Sequence, residues 1–147
     1  ALFPLSPRRD HNFVAGLSMG GYGALPLGLH KPDVFAAAAS LSSSCELANL
    51  QKRPEELALV FGDVAGIRKS GGDLAELALT LADARGPKPK FFQACGTEDA
   101  LLSSNRRFRD VIAPLGFDYT YEEGPGGHDW AYWGAGIQRV LRWLPLP

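Results

Sequence analysis

The sequence is short of the features on which several function classes depend. No apolar run in its 147 residues approaches the roughly 20 that a membrane-spanning helix needs. Gly, Pro or a charged residue interrupts each run within a turn or two, which excludes a membrane span. Neither sign of charge is in excess, since 15 Lys and Arg against 16 Asp and Glu leave a net charge of −1. The densest basic pairs, Arg8–Arg9 and Arg106–Arg107, are too short to form a patch. No electrostatic grip on nucleic acid or an anionic membrane surface is therefore expected. Cysteine occurs only twice, at Cys45 and Cys95, without a CxxC pair. Both read as small buried hydrophobes in a reducing compartment rather than as a disulfide framework. The three histidines are isolated from one another, so no metal site is expected. The chain opens Ala1-Leu2-Phe3-Pro4, with no Met and no charged-then-apolar leader. It reads as an excerpt or a processed product, and the absent leader with the unpaired cysteines points to a cytoplasmic location.

What is present suits one globular domain over 1–147. Hydrophobic residues make up 46% and charged residues 21%, enough to bury a core and too little charge for a disordered chain. Seventeen Gly and eleven Pro punctuate alternating strand and helix signals. Residues 12–17 (NFVAGL) form an apolar run suited to a strand buried on both faces of a parallel sheet. A small-residue helix follows over 19–29, with Pro26 as a local conflict of about 3 kcal/mol unless the helix kinks. Residues 34–41 (VFAAAASL) and 90–95 (KFFQAC) read as two further strands. Between them Asp73 and Glu76 resemble a capping box, and Leu74, Leu77, Ala78 and Leu81 trace a helical face that Gly86-Pro87 stops. Phe108, Val111, Ile112 and Leu115 mark another helix, ended by Gly116. Residues 117–122 (FDYTYE) alternate as a fourth strand. Trp130, Trp133, Ile137, Val140, Leu141 and Leu144 give a last helix, closed by Pro145. This alternation predicts an α/β fold, a mostly parallel sheet flanked by helices.

The chemistry gathers at the ends of these strands. Gly16-Leu17-Ser18-Met19-Gly20 is a GxSxG match between a strand and a helix, the nucleophile-elbow pattern. A serine on so sharp a turn needs small neighbours. Gly16 and Gly20 supply them, while Gly21, Gly23 and Ala24 let the helix pack close to the sheet. The backbone N–H of Met19, at the helix N-terminus, is placed to help bind an oxyanion. Three histidines compete as the base. His11 lies at the wrong end of the nucleophile strand, and His30 sits at a helix end, where capping is the ordinary role. His128 follows Pro125-Gly126-Gly127, in a loop after a strand, where open parallel sheets collect functional groups. The orienting carboxylate is expected in Gly96-Thr97-Glu98-Asp99, where Asp99 or Glu98 qualifies and the shorter Asp99 is the commoner partner. Asp129 is better placed to cap the following helix. The order Ser18, Asp99, His128 is that of α/β-hydrolases. The glycine-rich stretch 16–23 contains no GxGxxG and no following Gly-Lys-Ser/Thr, so it is not read as a phosphate loop.

AGLSMGGYGA (15–24), PDVFAAAASLS (32–42), QACGTED (93–99) and GFDYTYEEGPGGHDWAYW (116–133) resemble the esterase D-like branch of the α/β-hydrolases. That branch includes bacterial tributyrin esterases, S-formylglutathione hydrolases and acetyl- and feruloyl-esterases, and the likeness runs from about residue 8 to residue 146. It implies an α/β-hydrolase fold, Ser18 as nucleophile, Asp99 as triad acid and His128 as base. It also implies hydrolysis of short acyl esters, small-molecule substrates, through an acyl-enzyme and without a cofactor. A second activity within its scope is thioester hydrolysis of the S-formylglutathione hydrolase kind. Family members carry several strands before the nucleophile strand, so the chain is expected to be the C-terminal portion of such an enzyme, lacking the loop that supplies a second oxyanion donor. Strand 12–17 would then be an open apolar edge that favours association into a homo-oligomer. A non-catalytic α/β fragment that self-associates is the competing expectation.

Overall fold

A computed structural model describes residues 6–46 and 72–146, and between them residues 55, 58, 59, 62 and 66. Four short strands form its sheet: β1 (Phe13–Leu17), β2 (Ala37–Leu41), β3 (Lys90–Gly96) and β4 (Tyr119–Gly124). They lie side by side in chain order, and every neighbouring pair is parallel. The central strands are the apolar runs. All five residues of β2 are buried, as are six of the seven in β3. This is how strands covered on both faces are composed.

The outer strands differ from the sequence expectation. Residues 12–17 read as a strand buried on both faces, but β1 is an edge, with Ala15 exposed and its neighbours half-buried. Among the described residues it pairs only with β2. At the other edge, β4 starts two residues later than the alternation suggested and runs on through Glu122 and Glu123 to Gly124. Phe117 drops out of the strand into the core. The two glutamates are held by arginines instead: Glu123 by Arg106 at 2.6 and 2.8 Å, and Glu122 by Arg139 at 2.8 Å. Likewise β2 begins at Ala37 rather than at Val34, because the N–H groups of Val34 and Phe35 both close a turn onto the Lys31 carbonyl.

Among the described residues four helices cover the sheet: α1 (Met19–His30), α2 (Leu74–Asp83), α3 (Leu102–Ile112) and α4 (Trp130–Trp143). Side chains alternate across a strand, and the two faces fill separately. Ala38 and Phe91 pack with Leu25 and Leu29 of α1, Leu74, Ala78 and Leu81 of α2, and Phe108 and Ile112 of α3. Ala39, Leu41, Phe92 and Ala94 point the other way, onto Tyr132, Trp133 and Val140 of α4. Strands added in one direction by crossovers of one hand put α1, α2 and α3 on the same face.

The local signals explain most of the helices. Asp73 caps α2 by accepting from the N–H groups of Ala75 and Glu76, at 3.1 and 3.3 Å. Gly116, in the left-handed conformation at φ 78°, ends the short 3-10 turn after α3. The α1 helix continues through Pro26, held against the sheet at Leu25, Gly28 and Leu29. In α4 the buried side is Tyr132, Trp133, Gly136 and Val140. Trp130, Ile137 and Leu141, predicted to lie on its core face, are exposed, and the first two stand across an open groove from β1. Trp130, Trp133, Ile137 and Val140 line that apolar groove of about 260 Å³ with Ala15, Leu17 and Leu41. Both cysteines are free and buried, and no helix among the described residues is long and apolar enough to cross a membrane.

Candidate active site

The turn from β1 into α1 carries Ser18. Its backbone sits at φ 52° and ψ −120°, a region that non-glycine residues seldom enter and that costs on the order of 1–3 kcal/mol. Two features hold it there. The Ser18 N–H continues the β1–β2 ladder by donating to the Leu41 carbonyl at 2.8 Å, and the Ser18 carbonyl accepts from the Tyr22 N–H at 3.0 Å. The turn is so tight that a Cβ on Gly16 would stand 2.2 Å from the Gly20 carbonyl oxygen, so only glycine fits. Gly21 is needed for a different approach, since its Cβ would lie 2.9 Å from Ser40 Oγ. Gly20, predicted as a small neighbour of the turn, and Gly23, predicted to let the helix pack close, face open space; the tight contacts of this turn fall on Gly16 and Gly21.

Asp99 lies in the turn after β3. Its side chain is fully buried. One carboxylate oxygen accepts from the Leu101 N–H at 2.8 Å, and the other is 2.9 Å from His128 Nδ1. His128 comes four residues after β4, and its Nε2 lies 2.9 Å from Ser18 Oγ. The proton positions follow from donor and acceptor capacity. An ionised carboxylate can only accept, so Nδ1 carries the ring proton and Nε2 is left to accept from the Ser18 hydroxyl. Residues 110 positions apart in sequence thus form one relay from hydroxyl to imidazole to buried carboxylate. Such an arrangement can withdraw the serine proton as the oxygen attacks and balance the imidazolium that results. The Trp133 ring meets the His128 ring edge-on, with centroids 4.8 Å apart, and Trp130 meets Trp133 the same way at 5.2 Å. The imidazole is therefore flanked by an aromatic wall.

The remaining candidates separate cleanly. Glu98, the alternative carboxylate, turns outward. It accepts from the Thr97 hydroxyl at 2.9 Å and from the Gly126 N–H, and these bonds hold its carboxyl below the usual glutamate range. Asp129 caps α4 by accepting from the Tyr132 N–H at 2.9 Å, as its position suggested. His11 lies before β1 and contacts Ser6 Oγ at 3.1 Å, while His30 is the last residue of α1. Met19 is the first residue of α1, where N–H groups have no intrahelical acceptor, and its side chain is exposed. Among the described residues no group of three or more His, Cys, Asp or Glu side chains could hold a metal.

A buried polar network beneath the acid turn was not anticipated. Asn105 Nδ2 donates to the Ser43 and Leu101 carbonyls at 2.8 and 2.9 Å, and Asn105 Oδ1 accepts from Gln93 Nε2 at 2.9 Å. The Tyr119 hydroxyl completes it on Gln93 Oε1 at 2.6 Å. This network fixes Leu101, whose N–H holds Asp99. Gln93, a lone amide inside KFFQAC, was the signal available in the sequence: a polar group in a doubly covered strand must find partners.

Comparison with known proteins gives this geometry a context. A family model described as "Putative esterase" matches residues 1–144. An acetyl esterase of Caldicellulosiruptor saccharolyticus is 34% identical over 98% of this chain and 58% of its own length. The crystal structure of an S-formylglutathione hydrolase from Staphylococcus aureus superposes with a TM-score of 0.86 at 35% identity, covering 97% of this chain and 57% of that one. A fluorophosphonate-binding serine hydrolase of the same organism superposes at 0.85, with 35% identity and the same shares. The chain therefore spans somewhat over half the length of these relatives.

Proposed function

The chain belongs to the esterase family whose model covers residues 1–144, and from that membership we propose that it carries the machinery of a serine carboxylic ester hydrolase acting on short acyl esters. The observation that carries this reading is the relay of Ser18, His128 and Asp99, with both of its hydrogen bonds at 2.9 Å. Ser18 Oγ attacks the acyl carbonyl while His128 Nε2 takes its proton. The imidazolium stands against the Asp99 carboxylate. The Met19 N–H, at the positive end of α1, donates to the oxyanion of the tetrahedral intermediate. Collapse expels the alcohol, which takes the proton from His128 and leaves an acyl-Ser18 ester. Water, deprotonated by the same imidazole, then releases the acid.

The test is intact-mass analysis after exposure to a fluorophosphonate, comparing the chain with its Ser18→Ala variant. A single adduct that the substitution abolishes is expected. Equal labelling of both, or none on folded protein, would refute the assignment.

The likeness to an S-formylglutathione hydrolase favours a second reading, thioester hydrolysis at the same serine. Rates on the oxyester and thioester of one short acyl group separate the two. The outer edge of β1, unpaired among the described residues, supports association of copies, which elution from a sizing column reads directly. The free, buried cysteines support a cytoplasmic location.

A further inference from the structure

The Glu98 carboxylate is close to the site but takes no part in the relay, and the loop that carries His128 needs something to hold it. Only four residues, 125–128, separate the end of β4 from Asp129, the cap of α4. Two of them are glycines, and Gly126 sits at φ 135°, where the chain has the least intrinsic preference for one conformation. The loop lies directly on the end of β3: a Cβ on Gly96 would stand 2.0 Å from the Gly126 carbonyl oxygen.

Besides the His128–Asp99 bond itself, three hydrogen bonds join the loop to the acid turn. The Thr97 N–H donates to the Gly124 carbonyl at 2.9 Å, and the Glu98 N–H donates to the Gly126 carbonyl at 3.1 Å. The third runs the other way, from the Gly126 N–H to the Glu98 carboxylate. Gly126 is thus gripped at both its N–H and its carbonyl by one residue, two positions before His128 and one before Asp99. Of the three bonds, only the last uses a side chain.

We propose that Glu98 is a positioning residue for the imidazole, its carboxylate clamping the Gly126 peptide so that the loop bearing His128 and the turn bearing Asp99 move as one piece. This rests on His128 acting as the base. The imidazole is 2.9 Å from both Asp99 and Ser18, so a loop freed from the clamp moves it relative to both. Loss of the clamp therefore lowers the rate of the chemical step, because small misplacements of a base cost about tenfold to a hundredfold. It leaves substrate affinity alone, since the Glu98 carboxylate is engaged by the Thr97 hydroxyl and the Gly126 N–H.

The experiment compares the chain with Glu98→Ala and Glu98→Gln, the latter keeping an acceptor oxygen for Gly126 but no charge. Two readouts are taken: the downfield NMR resonance of the His128 Nδ1 proton, and the rate of fluorophosphonate labelling at Ser18. Glu98 is exposed, so melting temperatures should stay close together and all three proteins can be compared folded. Glu98→Ala is expected to broaden or lose the resonance and to slow labelling by about tenfold or more, while Glu98→Gln restores most of both. A resonance unchanged in Glu98→Ala, with labelling within about twofold of the parent, overturns the clamp and leaves the relay standing. Failure of the parent chain to label would instead refute the hydrolase reading, and the imidazole resonance alone would then decide whether Glu98 holds the loop.

Discussion

Replacing Asp99 with Asn tests the relay more sharply than deleting any of its members, because the structure dictates which way the new amide must face. One oxygen of Asp99 is committed to the Leu101 N–H at 2.8 Å and the other to His128 Nδ1 at 2.9 Å. The side chain is fully buried, so water cannot stand in for either partner. An amide has one acceptor oxygen and one donor nitrogen. Leu101 can only donate, and its own position is fixed from below by Asn105, so the amide oxygen must take that side. The NH2 group is then aimed at His128 Nδ1, which has to become the acceptor. The ring proton moves to Nε2, where it points at Ser18 Oγ. A base that already holds a proton toward its nucleophile cannot remove another.

The expected consequence is a fall in kcat/KM or in fluorophosphonate labelling of about 10⁴-fold, the size seen when the same tautomer is inverted in a serine protease. That corresponds to about 5.5 kcal/mol of lost transition-state stabilisation. Size and shape barely change, so the melting temperature should hold. A labelling rate within about tenfold of the parent, with an Nδ1 proton still seen by NMR, would mean that Asp99 does not fix the tautomer and that the order of donors and acceptors given above is wrong.

Further perturbations probe the frame around the site. A Cβ on Gly28 would stand 2.7 Å from Ala38 Cβ and 3.2 Å from the Phe91 ring, so Gly28→Ala should destabilise by about 1–3 kcal/mol through overpacking of α1 on the sheet. Gly23, on the same helix, faces open space, and Gly23→Ala should stabilise by about 0.5–1 kcal/mol. Urea melts decide both, and equal midpoints for the two variants would contradict the packing described. Hydrogen bonds from Arg106 hold the Glu123 carboxyl down to about 2 against an ordinary 4.5. A depressed folded value means that this stabilisation is complete above the unfolded value and is lost as pH falls from about 4.5 towards 2. Glu123→Gln should flatten the acid side of the stability profile over that interval, and parallel profiles for variant and parent would show that the pair contributes nothing.

How far the sequence could be read depended on whether a residue's environment follows from its neighbours in the chain. The buried strands β2 and β3 were legible because a doubly covered strand must be apolar throughout. The end of β4 was not, because Glu123, beyond the alternating run 117–122, looks like a turn until Arg106 of α3 is known to reach it. Periodicity found the apolar stripe of α4 but could not tell that an open groove separates Trp130 and Ile137 from β1. At the site, Ser18 was marked by its glycines and His128 by elimination. Asp99 and Glu98 could not be separated by position alone, because adjacent residues of one turn point to opposite sides, and only the fold decides which faces inward.

The same dependence explains why the loop before α4 is so rich in glycine. Register aligns the carboxyl ends of the four strands, with Leu17 opposite Leu41, Leu41 opposite Ala94 and Gly96 opposite Gly124. The three groups therefore rise from one edge of the sheet, one, three and four residues beyond their strands. Yet β1 and β4 are the outermost of the four described strands, about 14 Å apart at ordinary strand spacing. For His128 to reach Ser18, its loop has to leave β4 sideways and cross the end of β3. That path requires a strand end with no side chain, which Gly96 provides, and a peptide able to lie flat on it, which Gly126 provides at φ 135°. Asp99 sits in the turn being crossed, so the carboxylate meets the imidazole along the way. Glycines that look like loose loop composition are in this arrangement what lets β4 deliver a histidine to the end of β1.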